Sequence, residues 1–247
     1  MGRERPETPA VDEDVSPGDL DREVRSRLRG LSRPNAEQVA KHLVMAGRYL
    51  DSDPEFAHAH AQAAVQRAAR VDVVREAAGI TAYRTGRWAE ALRELRTHRR
   101  LTGSNEHLPL MADCERGLGR PERAIRLAAS PEAAQLDEAG RIELALVVSG
   151  ARLDLGDPEA ALVALADLRP RDRRLAARVA IARTTALEAL GRAEEAEREL
   201  SAFAPHELEA ASGVPDEVEV LDLEDLAEEE GQGGTEQPAP DGKEEQE

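Results

Sequence analysis

Cysteine, lysine and aromatic side chains are all scarce in this chain, and each scarcity excludes something. A single cysteine, Cys114, rules out an intrachain disulfide and makes a reduced, cytoplasmic setting the expectation. The aromatics are Trp88, Tyr49, Tyr83, Phe56 and Phe203, 2% of 247 residues, too few large side chains to fill one deep core. No run of about 18 apolar residues exists to span a membrane. The opening MGRERPETPAVDEDV has no apolar stretch of a secretory signal, and Pro6 stands where a myristoylation signal wants Ser or Thr. Only Lys41 and Lys243 are lysine, and the excess of arginine and alanine reads as the codon bias of a high-GC bacterial genome.

Charge of one sign is also missing from most of the chain. The formal net charge is −17, but residues 207–247 hold sixteen acidic residues against one lysine, a net of −15. The remaining 206 residues carry about −2. A nearly neutral body lacks the clustered basic footprint of phosphate binding, so direct nucleic-acid binding is not expected. The apolar share, 40%, leans on alanine, the best helix former and a residue that lets helices approach closely. Composition points to an all-α fold with small-residue helix contacts.

What is present is a repeat. The stretches GRWAEALREL, GRPERAIRLA, GDPEAALVAL and GRAEEAEREL follow Gly86, Gly119, Gly156 and Gly191. Counting the alanine shortly after each stop gives Ala57, Ala91, Ala124, Ala161 and Ala196, spaced 34, 33, 37 and 35 residues apart. A second helical pattern precedes each turn. The glycines suit helix ends, where the left-handed C′ conformation is wanted. Asp53-Pro54-Glu55 and Asp157-Pro158-Glu159 read as N-cap, proline at the first helical position and acid in the first turn. Each unit is then a helix pair that cannot bury its apolar face alone, so the pattern must recur.

The period and the Gly-x-x-x-x-Ala turn resemble the tetratricopeptide repeat (TPR) family over about residues 35–205. The fullest unit is 72–105, in which Gly79, Tyr83, Gly86, Trp88, Ala91 and Leu95 match family positions. The resemblance implies an α-solenoid of about five helix-turn-helix repeats spanning 34–206. The family's tryptophan near the start of the first helix is absent; those places hold Lys41, Arg75, Leu108, Ala145 and Ala180. Pro131 predicts a short second helix in the third unit, and Arg183 and Thr184 make the last unit atypical, leaving open a homodimer through it.

The flanks differ from the repeats. Residues 1–18 are charged and proline-containing, and disorder is expected. Residues 19–33 place Leu20, Val24, Leu28 and Leu31 on one stripe, a leading amphipathic helix that either packs on the first repeat or serves as a detachable partner helix or membrane-surface helix. Its mixed-charge polar face argues against a membrane surface. Residues 207–247 are expected to be an acidic, largely disordered tail. Within it, PDEVEVLDLEDLAEEE alternates acids and apolar residues, which fits a solubilising tail, a motif that folds on a partner, or a segment lying in the protein's own groove.

Catalytic patterns are wanting. Cys114 sits among Met111, Ala112 and Leu118 and reads as a small buried hydrophobe. His58 and His60, two apart, diverge on a helix, and no histidine pair has HExxH spacing. GLGRPE follows a helix rather than a strand and is a turn, and Gly-x-Ser-x-Gly is absent. No enzyme, cofactor or metal is expected. In the proteins this chain resembles, the first helices line a concave groove, and here that face would carry His42, Tyr49, Glu76, Tyr83, Arg84, Asp113, Arg116 and Glu143. Tyr49 and Tyr83 occupy the same repeat place, where they flank a docked peptide or simply close the helix packing. The Lys/Asn clamp of chaperone-tail readers is not there. Two functions stay open: a non-catalytic adaptor binding a protein or peptide in the groove, or an accessory factor of a nucleic-acid enzyme or the ribosome whose acidic tail covers a basic partner surface.

Overall fold

The computed structural model describes residues 8–212. Among them there are twelve α-helices and no strand. They are α1 (Arg22–Arg27), α2 (Arg33–Arg48), α3 (Pro54–Ala68), α4 (Asp72–Arg84), α5 (Trp88–Thr102) and α6 (Leu108–Gly117). The second half holds α7 (Pro121–Ala128), α8 (Glu138–Asp154), α9 (Pro158–Leu165), α10 (Arg173–Ala189), α11 (Ala193–Leu200) and α12 (Pro205–Ser212). Five neighbouring pairs follow one another, from α2 with α3 to α10 with α11, and the second helix of each pair packs on the first helix of the next. No described helix is long and apolar enough to cross a membrane.

Local chemistry sets this order. Four of the pairs turn through the same backbone device. Gly86, Gly119, Gly156 and Gly191 all have φ between 69° and 73°. At the first of them the amides of Gly86 and Arg87 return to the carbonyls of Tyr83 and Ala82, at 3.0 and 2.8 Å, which satisfies the end of α4. The same two bonds recur after α6, α8 and α10. Asp53 and Asp157 then cap α3 and α9 through the amides of Phe56 and Ala160. The helix α7 is short, as Pro131 predicts, and the three-residue excess in the 37-residue spacing falls beside a 3₁₀ segment, Pro131–Gln135.

Alanine sits where helices meet. The five alanines that mark the period, Ala57, Ala91, Ala124, Ala161 and Ala196, are all at most 2% exposed. Larger side chains gather where the pairs adjoin: Leu92, Leu95, Leu108 and Met111 form one cluster with Trp88 and Tyr83 at its edge, and Leu28, Val39, Leu43 and Val74 form another. Gly79 and Gly117 permit close approaches of apolar side chains. A Cβ at Gly79 would stand 2.6 Å from Leu95 Cδ2, and one at Gly117 would stand 2.7 Å from the Trp88 ring.

Three boundaries differ from the sequence-based expectations. Residues 8–18 are placed, not disordered: Val15 is buried, and Arg48 Nη1 and Nη2 donate to Asp14 Oδ1 and Oδ2, each at 2.9 Å. The opposite charges that suggested disorder find their partner at the end of α2. The leading helix is broken, with α1 flanked by 3₁₀ turns at Pro17–Asp19 and Leu28–Gly30. The acidic tail begins later than 207, because α12 packs on α10, where Arg173 Nε donates to Glu207 Oε1 at 2.6 Å and the guanidinium lies over the Phe203 ring. The motif at 215–230 lies outside the described residues.

Replacing Gly79 with Ala is expected to cost about 1–3 kcal/mol in urea unfolding, because Leu95 lies within the new methyl group's reach. Gly47→Ala, at an open helical position, is expected to stabilise by about 0.5–1 kcal/mol. Equal effects at both positions would mean that close packing at Gly79 is not what its missing side chain permits.

Candidate functional site

The polar residues nominated on the first helices do not form one exposed surface. Tyr83 on α4 donates its hydroxyl to Asp113 Oδ2 on α6 at 2.7 Å, and its ring meets Trp88 edge-on. Asp113 also accepts from Arg116 Nη1 at 2.9 Å, while Arg116 Nε donates to Asp154 Oδ2 at the end of α8 at 2.7 Å. Burial, and then the Asp113 carboxylate, push the Tyr83 phenol upward, so it remains a donor. A ladder thus ties α4, α6 and α8 together. Separately, Glu143 near the start of α8 pairs with Arg178 on α10. Arg84 stands apart, exposed, with Nη2 2.6 Å from Asp51 Oδ1.

His42 is a correction. Expected on the exposed face, it is 1% exposed, and its Nδ1 lies 2.9 Å from Nδ1 of the buried His60 on α3. The reason is pairing: an imidazole opposite another imidazole can be buried with a hydrogen bond. Its neighbour Leu43 is buried as well, in the core cluster with Leu28, Val39 and Val74, and lines the apolar cleft beside α4. His58 points away from this pair, with Nδ1 3.2 Å from the Thr81 hydroxyl and Nε2 3.7 Å from Glu90. Cys114 is fully buried, and burial pushes its thiol up to about 12, which leaves it unreactive at neutral pH.

The open part of the first-helix face is apolar. A cleft of about 200 Å³ lies between α2 and α4, lined by Leu43, Ala46, Leu50, Val73, Ala77 and Ile80, with Glu76 at its margin. Leu20 and Val24 of the leading segment also line it. That segment is held at both ends. The Tyr49 hydroxyl donates to Asp12 Oδ2 at 2.8 Å, Arg48 holds Asp12 and Asp14, and Arg27 Nη1 reaches Asp72 Oδ2 at 3.3 Å. Tyr49 therefore anchors the chain's own N-terminal segment while its ring meets Phe56 edge-on, 5.0 Å between centroids.

A second constellation escaped the sequence reading. Glu76 on α4, His98 on α5 and Glu106 and His107 just before α6 bring four ligand-type atoms within 4.8 Å of one another. His107 Nε2 is 2.7 Å from Glu76 Oε1, and this bond holds the Glu76 carboxyl below the usual range. His98 Nε2 stands 3.5 Å from Glu106 Oε1. The two histidines are nine residues apart, a spacing that no single-helix rule brings together; the adjacent Glu106-His107 was the one local signal.

No protein-family model matches the chain, and no curated protein or solved structure matches it either.

Two expectations follow. Burial, then His60 and Arg67, lower the His42 pKa from 6.5 to about 4, and burial lowers His60 and His58 as well. The unfolded chain takes up these protons first, so stability present above pH 6.5 is lost as pH falls towards 4. Between pH 7 and pH 5 the loss from His42 alone is about 2 kcal/mol in urea unfolding. The double variant His42→Leu/His60→Leu should flatten that slope; an unchanged slope would place its origin elsewhere. Tyr83→Phe, which strands one acceptor of Asp113, is expected to cost about 1–2 kcal/mol at neutral pH, read by the same method.

Proposed function

We propose that the chain is a non-catalytic adaptor, a TPR-like α-solenoid that docks a short amphipathic helix of a protein partner on its first-helix face. The TPR-like reading is supported by the five successive helix pairs, the four matching glycine turns and the period-marking alanines buried in every pair. The docking reading rests on one observation above the others. The apolar cleft between α2 and α4 is walled in part by an amphipathic segment of the chain itself, through Leu20 and Val24, which pack beside the α2 and α4 side chains. A partner helix with the same leucine/valine stripe and mixed-charge back would meet the same surface, and its ordering cost would be offset by apolar burial in a preformed cleft. The polar ladder from Tyr83 to Asp154 fixes the relative placement of α4, α6 and α8 and supplies no converging acid–base or nucleophile group.

The test is affinity capture from native lysate with the full chain, a 1–212 truncation and Ile80→Glu, backed by competition with a synthetic peptide of residues 12–31. A partner that survives truncation, is lost with Ile80→Glu and is displaced by the peptide supports cleft docking. A partner that needs residues 213–247 and is released by high salt would overturn it in favour of an acidic tail covering a basic surface.

A further inference from the structure

The site formed by Glu76, His98, Glu106 and His107 has the makings of a metal centre, and the strongest sign is an orphaned atom. His98 is 4% exposed, and its Nε2 has no hydrogen-bond partner among the described residues. Its Nδ1 lies 3.2 Å from the carbonyl oxygen of Asp72, which can only accept. Nδ1 therefore carries the proton, and Nε2 presents a lone pair towards Glu106 and His107. A buried lone pair without a donor is costly, whereas an imidazole steadied at Nδ1 by a backbone carbonyl is the usual posture of a metal-binding histidine.

We propose that these four side chains bind one divalent first-row transition ion, Zn²⁺ above all, as a structural centre. Tetrahedral zinc with ligand bonds of about 2.0–2.2 Å needs ligand atoms roughly 3.3 Å apart. Three separations are 2.7 Å for His107–Glu76, 3.5 Å for His98–Glu106 and 3.9 Å for His107–Glu106, and every pair lies within 4.8 Å, so modest side-chain shifts complete the shell. Glu106 has room to make them, being more than half exposed and steadied by the Ser104 hydroxyl at 2.9 Å. Two carboxylates balance the ion's charge, and two imidazoles favour zinc over calcium or magnesium. The proton that His107 Nε2 shares with Glu76 leaves that nitrogen when the ion takes its place. A cavity of about 600 Å³, lined by Gly103–His107 and Gln135–Asp137, opens on Glu106 and His107 and gives the ion a way in. Four protein ligands leave no open position for chemistry, so the ion would clamp α4, α5 and the loop before α6.

The experiment uses the full chain, stripped with a chelator, and titrates Zn²⁺ by calorimetry against a competing chelator, with Co²⁺ absorption reporting geometry. One ion per chain is expected, with the intense visible bands of tetrahedral Co²⁺ and a rise in melting temperature on adding Zn²⁺. Glu106→Gln/His107→Gln should weaken binding by more than about 100-fold, since loss of even an outer-shell partner costs 10–100-fold, and should abolish the thermal shift. Glu106→Gln alone, at an exposed position, should weaken binding while keeping the helical circular dichroism, which guards against misfolding of the double variant. Absence of stoichiometric Zn²⁺ binding overturns the proposal. Undiminished binding in the variants overturns it too, because the ion would then sit elsewhere, for instance on the acidic residues beyond 212.

Discussion

Helix-to-helix approach at alanine is the constraint on which the rest depends. With so few large side chains, each contact gains its dispersion energy from closeness rather than from bulk. Closeness demands small residues on the meeting faces, and it explains why glycine appears at 79 and 117, where Leu95 and Trp88 lie against the backbone. It also limits what one pair can bury. No pair is self-sufficient, and stability accumulates along the stack from neighbour to neighbour. Contacts made mostly between elements adjacent in sequence favour folding by local steps.

The polar groups serve the same end at the surface. The Tyr83–Asp113–Arg116–Asp154 ladder links three first helices, and Arg87 with Glu55 links the second-helix layer across the first two pairs. The exposed ion pairs contribute little stability individually. Their effect is geometric, because a bidentate or shared carboxylate fixes the direction of one helix relative to the next. The apolar cleft between α2 and α4 lies where the ladder does not reach, and the leading segment forms part of its wall.

Much of the fold was legible because its signals are local. A glycine stop, an aspartate cap and a proline at the first helical position each act within a few residues, and the alanine period exposes the pairing. The candidate site was legible only in part. Tyr83, Asp113 and Arg116 do lie at first-helix junctions, but the sequence could not show that they face one another. That His42 is buried is decided by His60 on another helix, whose imidazole supplies its hydrogen-bond partner. The cluster of Glu76, His98, Glu106 and His107 draws on three elements whose convergence depends on how α4, α5 and α6 stack. Charged, proline-containing composition at one end and acidic composition at the other suggested disorder, where Arg48 and Arg173 bind the carboxylates of Asp14 and Glu207.

The buried pair of imidazoles has a kinetic meaning as well. Only one hydrogen can sit between His42 Nδ1 and His60 Nδ1, and both rings are buried. That hydrogen trades with solvent only when α2 and α3 part. Its lifetime is therefore a clock for the opening of the first helix pair, built into the protein at the base of the surface that receives the leading segment.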